Sequence, residues 1–294
     1  MDAMLYGCGN FGKNYLRILK EMRILKGVVV SSEESKEKIE KEHGVKVFVS
    51  GSEIPQAELV FVVTPPRTHS EIIRSVIGHS HVLCEKPLAL NADEIISLKR
   101  LAAENKKILM VGHTYRFSKV VEEAKKLIHE PEHIELNLVG GNYVQTTGAI
   151  RDFLHGFDIL DNLLDTLPDT VLCKKIEKSG NFETYAEIDM QYGKTKVEMK
   201  VGWPKGAEKQ RKMIVSQKSG NIEVELVSQT IAHDWKLTVV KDDEPLKKEI
   251  KHFIDVVKGR EKSYPDADVA LRIEKVISSV YESMKTKKRV TLTD

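Results

Sequence analysis

The sequence predicts a doubly wound parallel sheet at the N-terminal end, followed by a second α/β domain built on a large, mostly antiparallel sheet. Three observations carry this. Up to about residue 115, short apolar runs alternate with amphipathic stretches. The first run leads into Gly7, Gly9 and Gly12 at Gly-x-Gly-x-x-Gly spacing. Beyond about residue 118 the runs lengthen and alternate apolar with polar. A chain of 294 residues exceeds the usual span of one hydrophobic core. Two domains are therefore expected, 1–117 and 118–294.

The runs AMLY (3–6), GVVV (27–30), LVFVV (59–63), HVLC (81–84) and ILMV (108–111) have the length of buried strands and are too short for helices. Between them, FGKNYLRILKEM repeats apolar residues at Tyr15, Ile18, Leu19 and Met22. NADEIISLKRLAAEN opens on a capping Asn91 and repeats at Ile95, Leu98 and Leu101. Strand and helix in alternation require parallel crossovers, hence the doubly wound sheet. Further on, HIELNLVGGNYV, FETYAEIDMQY, TKVEMKVGW, RKMIVSQKSGNIEVEL and WKLTVV read as antiparallel strands with one face covered, the cover being a helix over 150–164. PLKKEIKHFIDVVKG and ADVALRIEKVISSVYESMKT close the chain as an amphipathic pair. Neither repeat nor flexible linker interrupts it, so a rigid domain interface with a cleft is expected.

Composition narrows the function classes. Hydrophobic residues at 41% and charged residues at 31% describe a globular chain. A net charge of +2, from 46 basic and 44 acidic residues, gives no long-range pull toward nucleic acid or membrane. Small molecules or other protein chains are the expected partners. Cys8, Cys84 and Cys173 are too few and scattered for a disulfide framework or a zinc pair, which fits a reducing cytoplasm. No apolar run approaches the ~20 residues that span a bilayer, and the N-terminus has no secretory pattern. A soluble, unprocessed protein is expected.

In YGCGNFGKNY each glycine has its own reason: Gly7 for the tight turn, Gly9 for close approach of backbone to a pyrophosphate, Gly12 for helix-on-strand packing. The helix N-terminus after Asn10 and Phe11 offers free N–H groups and a positive dipole end to phosphates. At the end of the second strand, where an acid would take both ribose hydroxyls of NAD, the chain has Ser31, Ser32 and Lys36. Hydroxyls with a lysine suit a 2′-phosphate, so the reading leans to NADP over NAD. The alternatives are that Ser32 or Ser35 simply caps a helix, or that Glu33 reaches the ribose.

VVTPPRTH places Thr64 and Pro65 at the carboxyl end of a central strand, the ligand edge of such sheets, with Pro66 suited to start a helix. His69 reads first as packing or capping there, and it is grouped with the cofactor-binding residues through the motif. VLCEKPLAL puts Glu85, Lys86 and Pro87 where a strand should end. By itself this is a strand that surfaces and turns. In GAIRDFLHGFDILDNLLDT, Ile150, Phe153, Phe157, Leu160 and Leu164 share one helix face, and Arg151, Asp152, His155, Asp158 and Asn162 the other. The plain reading is an apolar face on a sheet and a polar face in water. A His-x-x-Asp metal pair lacks clustered ligands, so no metal is expected.

Taken together and in order, Gly-x-Gly-x-x-Gly, TPP…H, EKPLAL, GHTYRF (112–117) and HGFD (155–158) resemble the glucose-fructose oxidoreductase, inositol dehydrogenase and MocA (Gfo/Idh/MocA) family over nearly the whole chain, including EIKHFIDVVKG…YPDA. The resemblance implies a Rossmann domain joined to an α/β domain whose open sheet commonly supports oligomerisation, hence a dimer or tetramer. It implies hydride transfer between NAD or NADP and a hydroxyl-bearing carbon of a sugar, polyol or sugar nucleotide. The same likeness puts Glu85 and Lys86 beside the nicotinamide and gives Lys86 and His155 catalytic roles. Such chemistry needs a group to exchange the hydroxyl proton as hydride moves. Lysine, with a solution pKa of ~10.4, works more easily as a cationic clamp, whereas histidine needs no such tuning.

Departures from the family pattern also shape the expectations. The acid usual four residues before the histidine is Arg151 here, with Asp152 one step along. On one continuous helix Asp152 would orient His155, and Arg151 would contact an anionic part of the substrate. The alternative is that both are solvated or paired at the rim. Tyr115, Arg116 and Asp158 complete the expected substrate-binding set. A second function class is a non-catalytic, dinucleotide-binding regulator on the same fold.

Overall fold

The computed structural model describes residues 1–141, 147–241 and 244–292. The chain folds as two compact units, Met1–Gly112 with Glu249–Leu271, and His113–Lys248 with Arg272–Asp294.

In the first unit the elements alternate as expected: β1 (Ala3–Tyr6), α1 (Gly12–Glu21), β2 (Leu25–Val30), α2 (Glu33–His43), β3 (Val47–Val49), β4 (Leu59–Val62), α3 (His69–Val76), β5 (His81–Glu85), α4 (Ala92–Glu104) and β6 (Leu109–Gly112). All six strands are parallel, in the order β3-β2-β1-β4-β5-β6. This is the doubly wound Rossmann order. Five strands coincide with the apolar runs. The sixth, β3, has three residues, two of them half-buried, too little for a periodicity to show. Met4, Val60, Val62 and Val82 are buried against Ile73, Val76, Ile95 and Leu98 of the covering helices. Each such side chain contributes roughly 1.5–3 kcal/mol by leaving water. Asn91 caps α4 by accepting from the Glu94 N–H at 2.9 Å, as its position predicts.

The domain boundaries differ from expectation. Residues 249–271 were placed with the second domain but belong to the first unit. Phe253 meets Phe61 edge to face with centroids 5.5 Å apart, and the Val111 N–H donates to Pro265 O at 3.1 Å. A late segment that returns to an early core leaves no break in texture to announce it. The first boundary falls after Gly112 rather than after residue 117.

The second unit contains α5 (Lys119–Leu127), β7 (His133–Val139), α6 (Ala149–Asp152), α7 (His155–Leu164), β8 (Thr170–Ser179), β9 (Phe182–Tyr192), β10 (Thr195–Gly202), β11 (Gln210–Gln217), β12 (Gly220–Glu225), β13 (Thr230–His233), β14 (Lys236–Val239) and, near the C-terminus, β15 (Val290–Thr291). Unit boundaries fall inside α8 (Pro245–Val257) and α9 (Ala267–Thr286). Nine strands form one sheet in the order β14-β13-β12-β11-β7-β10-β9-β8-β15, antiparallel except where β7 meets β10. Ile134, Leu136, Leu138, Val197, Met199 and Val201 are buried on one face. α7 covers it closely enough that a side chain on Gly156 would stand 2.7 Å from Met199 Sδ. The strand expected to run to residue 144 ends at Val139, and 142–144 lie outside the described residues.

The helix expected over 150–164 is interrupted. α6 stops at Asp152, Phe153 leaves helical geometry (φ −95°, ψ 28°), and α7 starts at His155. Among the described residues, no helix is long and apolar enough to cross a membrane.

Candidate functional site

The sheet order of the first unit reverses between β1 and β4. Open α/β sheets bind ligands outside the carboxyl ends of their strands at such a switch point. β1 delivers Gly7 there with φ +90°, and a side chain on it would stand 2.5 Å from Val63 O. Gly9 is the opposite case: a Cβ would meet nothing within 4 Å. That open space fits the pyrophosphate of a dinucleotide. The N-terminus of α1 has no side-chain cap, so its positive end stays available to an anion. Asn10 is exposed, as is Phe11, whose ring meets Tyr15 edge to face at 5.9 Å, and Gly12 is buried as the first residue of α1.

At the end of β2, the Ser32 hydroxyl accepts from the Ser35 N–H at 3.3 Å and donates to Ser35 Oγ at 3.0 Å. Ser32 is thus the N-cap of α2, the alternative reading of that residue, because an extended residue before a helix is where such a hydroxyl satisfies an orphan N–H. Ser31 is exposed beside it, and Lys36 pairs with Glu33 at 3.3 Å.

The turns after β4 and β5 are joined from behind. Thr64 accepts from the Thr68 hydroxyl at 2.8 Å, and Pro65 is exposed. His69, grouped with the cofactor-binding residues, is fully buried, with Nδ1 2.8 Å from Pro87 O and Nε2 2.8 Å from Thr64 O. Both ring nitrogens are used inside the protein, so His69 is a strut between the two turns rather than a ligand contact. Burial pushes its pKa down against the pull of the two carbonyls. Glu85 is likewise corrected: its side chain turns inward, where Oε1 accepts from the Tyr15 hydroxyl at 2.7 Å and Oε2 from the Lys86 N–H at 3.2 Å. Burial pushes the Glu85 carboxyl up to about 7, with Tyr15 and Lys86 opposing. Lys86 remains half-buried at the strand end, and its peptide bond to Pro87 is cis.

In the second unit, His155 is the first residue of α7 and is half-buried. The Tyr115 ring packs edge to face on the imidazole with centroids 5.0 Å apart. Burial raises the Tyr115 phenol and nearby Arg211 opposes that. Arg211 lies over the Phe153 ring, 4.9 Å from its centroid. The motifs do not mark Arg211, yet a signal exists in the sequence. On β11 it alternates onto the same sheet face as the buried Met213 and Val215, a cation beside two apolar side chains.

Other expected substrate contacts are engaged internally. Arg116, whose side chain is 2% exposed, donates from Nε to Asp158 at 2.6 Å and from Nη2 to Asp161 at 2.5 Å. Asp161 also accepts from Arg272 at 2.8 and 2.9 Å. Asp158 is fully buried; burial pushes its pKa up to about 6 against the pull of Arg116. The helix face expected in water is thus part of a buried charge network, because acids there meet arginines from the segments packed on it. Arg151 donates from both terminal nitrogens to Glu274 at 2.5 and 2.7 Å and lies 5.5 Å from the Tyr281 ring centroid. Its guanidinium is held by Glu274, the pairing alternative to a contact with a substrate anion. Asp152 accepts from the Thr147 N–H at 3.2 Å and hydroxyl at 2.8 Å. The helix is interrupted between Asp152 at the end of α6 and His155 at the start of α7.

Residues 2–113 match the family described as "Oxidoreductase family, NAD-binding Rossmann fold" (GFO_IDH_MocA). Over that stretch the chain is similar to the Gfo/Idh/MocA family. Scyllo-inositol 2-dehydrogenase (NADP(+)) IolW from Bacillus subtilis is 30% identical over 199 residues, covering 61% of this chain and 55% of the relative. The matched stretch thus spans about half the length of that curated relative. Among solved structures, UDP-N-acetylglucosamine 3-dehydrogenase GnnA from Acidithiobacillus ferrooxidans is similar with a TM-score of 0.85 at 19% identity, over 97% of this chain and 99% of that one. The WlbA dehydrogenase from Bordetella pertussis, in complex with NADH and UDP-GlcNAcA, is similar with a TM-score of 0.87 at 15% identity, over 100% and 98%. At these identities the two structures show the shared fold.

Proposed function

We propose that the protein is an NAD(P)-dependent oxidoreductase that moves hydride between a nicotinamide and a hydroxyl-bearing carbon of a sugar, polyol or sugar nucleotide. One observation carries this reading: the first unit has an open, side-chain-free turn at Gly9 on its β1/β4 switch point and holds Lys86 at the end of the adjacent strand β5. The turn at 7–12 would hold the pyrophosphate, and Thr64 and Pro65 would border the cofactor at the end of β4. Ser31 and Lys36 would take a 2′-phosphate, which favours NADP. When bound, the cofactor supplies or accepts the hydride. Lys86 is the cationic clamp on the substrate oxygen and His155 exchanges its proton, with Tyr115 packed on the imidazole. Supporting names are those of IolW, an inositol dehydrogenase named for NADP(+), and of GnnA and WlbA, named with UDP-sugars. Arg151, the departure from the family pattern, is bonded to Glu274 and argues for neither the oxidoreductase nor the regulator reading.

The test is a panel of sugars and polyols with NAD+ and NADP+, followed by reduced-nicotinamide absorbance. Lys86→Ala and His155→Ala should each lower kcat by roughly 10²–10⁴-fold while cofactor binding persists. Turnover close to wild type in either variant removes that residue from the mechanism. Absence of NAD(P)H binding by the wild-type chain removes the whole reading.

A further inference from the structure

The second unit neutralises its buried arginines with acids. Arg116 meets Asp158 and Asp161, Arg272 meets Asp161, and Arg151 meets Glu274. Arg211 is the exception. It is half-buried, and no carboxylate pairs with it among the described residues. Three carbonyls fix it instead: Nη1 donates to Val139 O at 2.6 Å and to Gln210 O at 2.7 Å, and Nη2 to Gly140 O at 3.2 Å. The Phe153 ring supports its flat face.

A guanidinium has five N–H donors and stays protonated. With three of them used, the Nε–H and the second Nη2–H have no partner among the described residues. The Nε–H and the Nη2 nitrogen share one edge of the guanidinium, the edge that takes two oxygens of a carboxylate or phosphate at once. The edge is already oriented by the carbonyls and by Phe153, so little rotamer freedom remains to be lost on binding. Its neighbours are the residues of the proposed reaction. Arg211 acts electrostatically on Tyr115, and Tyr115 packs on His155.

We propose that Arg211 is the specificity-determining anchor for an oxyanion, carboxylate or phosphate, on the substrate, making the protein selective for acidic over neutral sugars. This rests on the oxidoreductase reading for the identity of the ligand as a sugar, while the anion site itself stands on the geometry of Arg211. The backbone carbonyls hold the guanidinium without neutralising it. Among the described residues no acid does so, and an incoming anion would.

The experiment is calorimetric titration of the full chain with glucose, glucuronate and glucose 6-phosphate, with and without NADPH. At least one acidic sugar should bind about tenfold or more tighter than glucose. Tighter glucuronate identifies a carboxylate site and tighter glucose 6-phosphate a phosphate site. Arg211→Gln should reduce that preference by about 10- to 100-fold, the range for a lost charge-assisted pair. Arg211→Lys, which keeps the charge and loses the two-pronged edge, should reduce it severalfold, and it decides the matter if the glutamine variant fails to fold. The inference is overturned if neither acid is preferred over glucose by the wild type, or if a folded variant keeps the wild-type preference. Failure of the wild type to bind NADPH strikes the oxidoreductase reading instead, and the sugar preference measured without cofactor still decides the role of Arg211.

Discussion

Tyr15 on α1 donates its phenolic hydrogen to Oε1 of Glu85 at the end of β5, across 2.7 Å of fully buried space. The neighbouring Lys86 N–H binds the other carboxylate oxygen, so the acid that precedes Lys86 is part of the core. Its pKa is raised by burial from 4.5 to about 7. A carboxyl whose folded pKa lies above its unfolded value takes up a proton on folding between the two. The ionised form therefore destabilises the fold fully above about pH 7, and this penalty fades as pH falls toward 4.5. Glu85→Gln keeps an acceptor for Tyr15 and removes the titration. The loss of unfolding free energy between about pH 5 and about pH 8 should shrink by on the order of 2–3 kcal/mol in the variant. Denaturant midpoints at the two pH values check it, and parallel pH slopes for both proteins would refute it.

Gly7 and Gly9, two positions apart, should respond oppositely to alanine. At Gly7 the backbone has φ +90° and a Cβ would stand 2.5 Å from Val63 O, so Gly7→Ala should destabilise by more than the ~1–2 kcal/mol of the left-handed conformation alone. At Gly9 nothing lies within 4 Å, so Gly9→Ala should leave the melting temperature nearly unchanged. Gly9→Val should then lower NAD(P)H affinity at least tenfold in a protein that still folds. Wild-type affinity in Gly9→Val would place the pyrophosphate elsewhere.

NADPH is expected to bind more tightly than NADH, and Lys36 is the residue to change. Its pairing with Glu33 at 3.3 Å is a surface contact of the kind that contributes little, so the lysine is free to turn to a phosphate. Because Ser32 is committed to capping α2, the margin rests on Ser31 and Lys36 and should be about 1–2 kcal/mol. Lys36→Ala should bring the two affinities close together in fluorescence titrations. An unchanged ratio assigns the preference to other groups.

Patterns with a single cause were readable in advance. The runs of β1, β2, β4, β5 and β6 have one explanation each, burial on both faces of a parallel sheet, and the order of the glycines follows from one turn. Lys86 and His155 came from motif order and stand at a strand end and a helix start. What failed depended on partners distant in sequence. Arg151 and Glu274 are 123 positions apart, Arg116 and Asp158 are 42, and Tyr15 and Glu85 are 70. A polar helix face looks the same whether it meets water or arginines. The interruption at Phe153 was hidden because its residues keep the spacing of an unbroken helix.

Arg151 and Glu274 form a largely buried ion pair whose disruption has a measurable cost. Glu274 is 3% exposed and its side chain also accepts from the Ser278 hydroxyl at 3.0 Å, while Arg151 closes the pair with two bonds. Removing the cation alone leaves a buried carboxylate uncompensated, which costs about 3–5 kcal/mol. Arg151→Met should therefore lower stability by that order. Arg151→Met combined with Glu274→Leu should recover much of the loss, because two apolar side chains of similar volume fill the site without a charge. Urea unfolding of the two single variants and the double variant measures the coupling. If instead Arg151 contacts a substrate anion, Arg151→Met stays close to wild-type stability and raises KM for acidic sugars while sparing neutral ones. A stable single variant with that kinetic signature would return the anion site to Arg151 and take it away from Arg211.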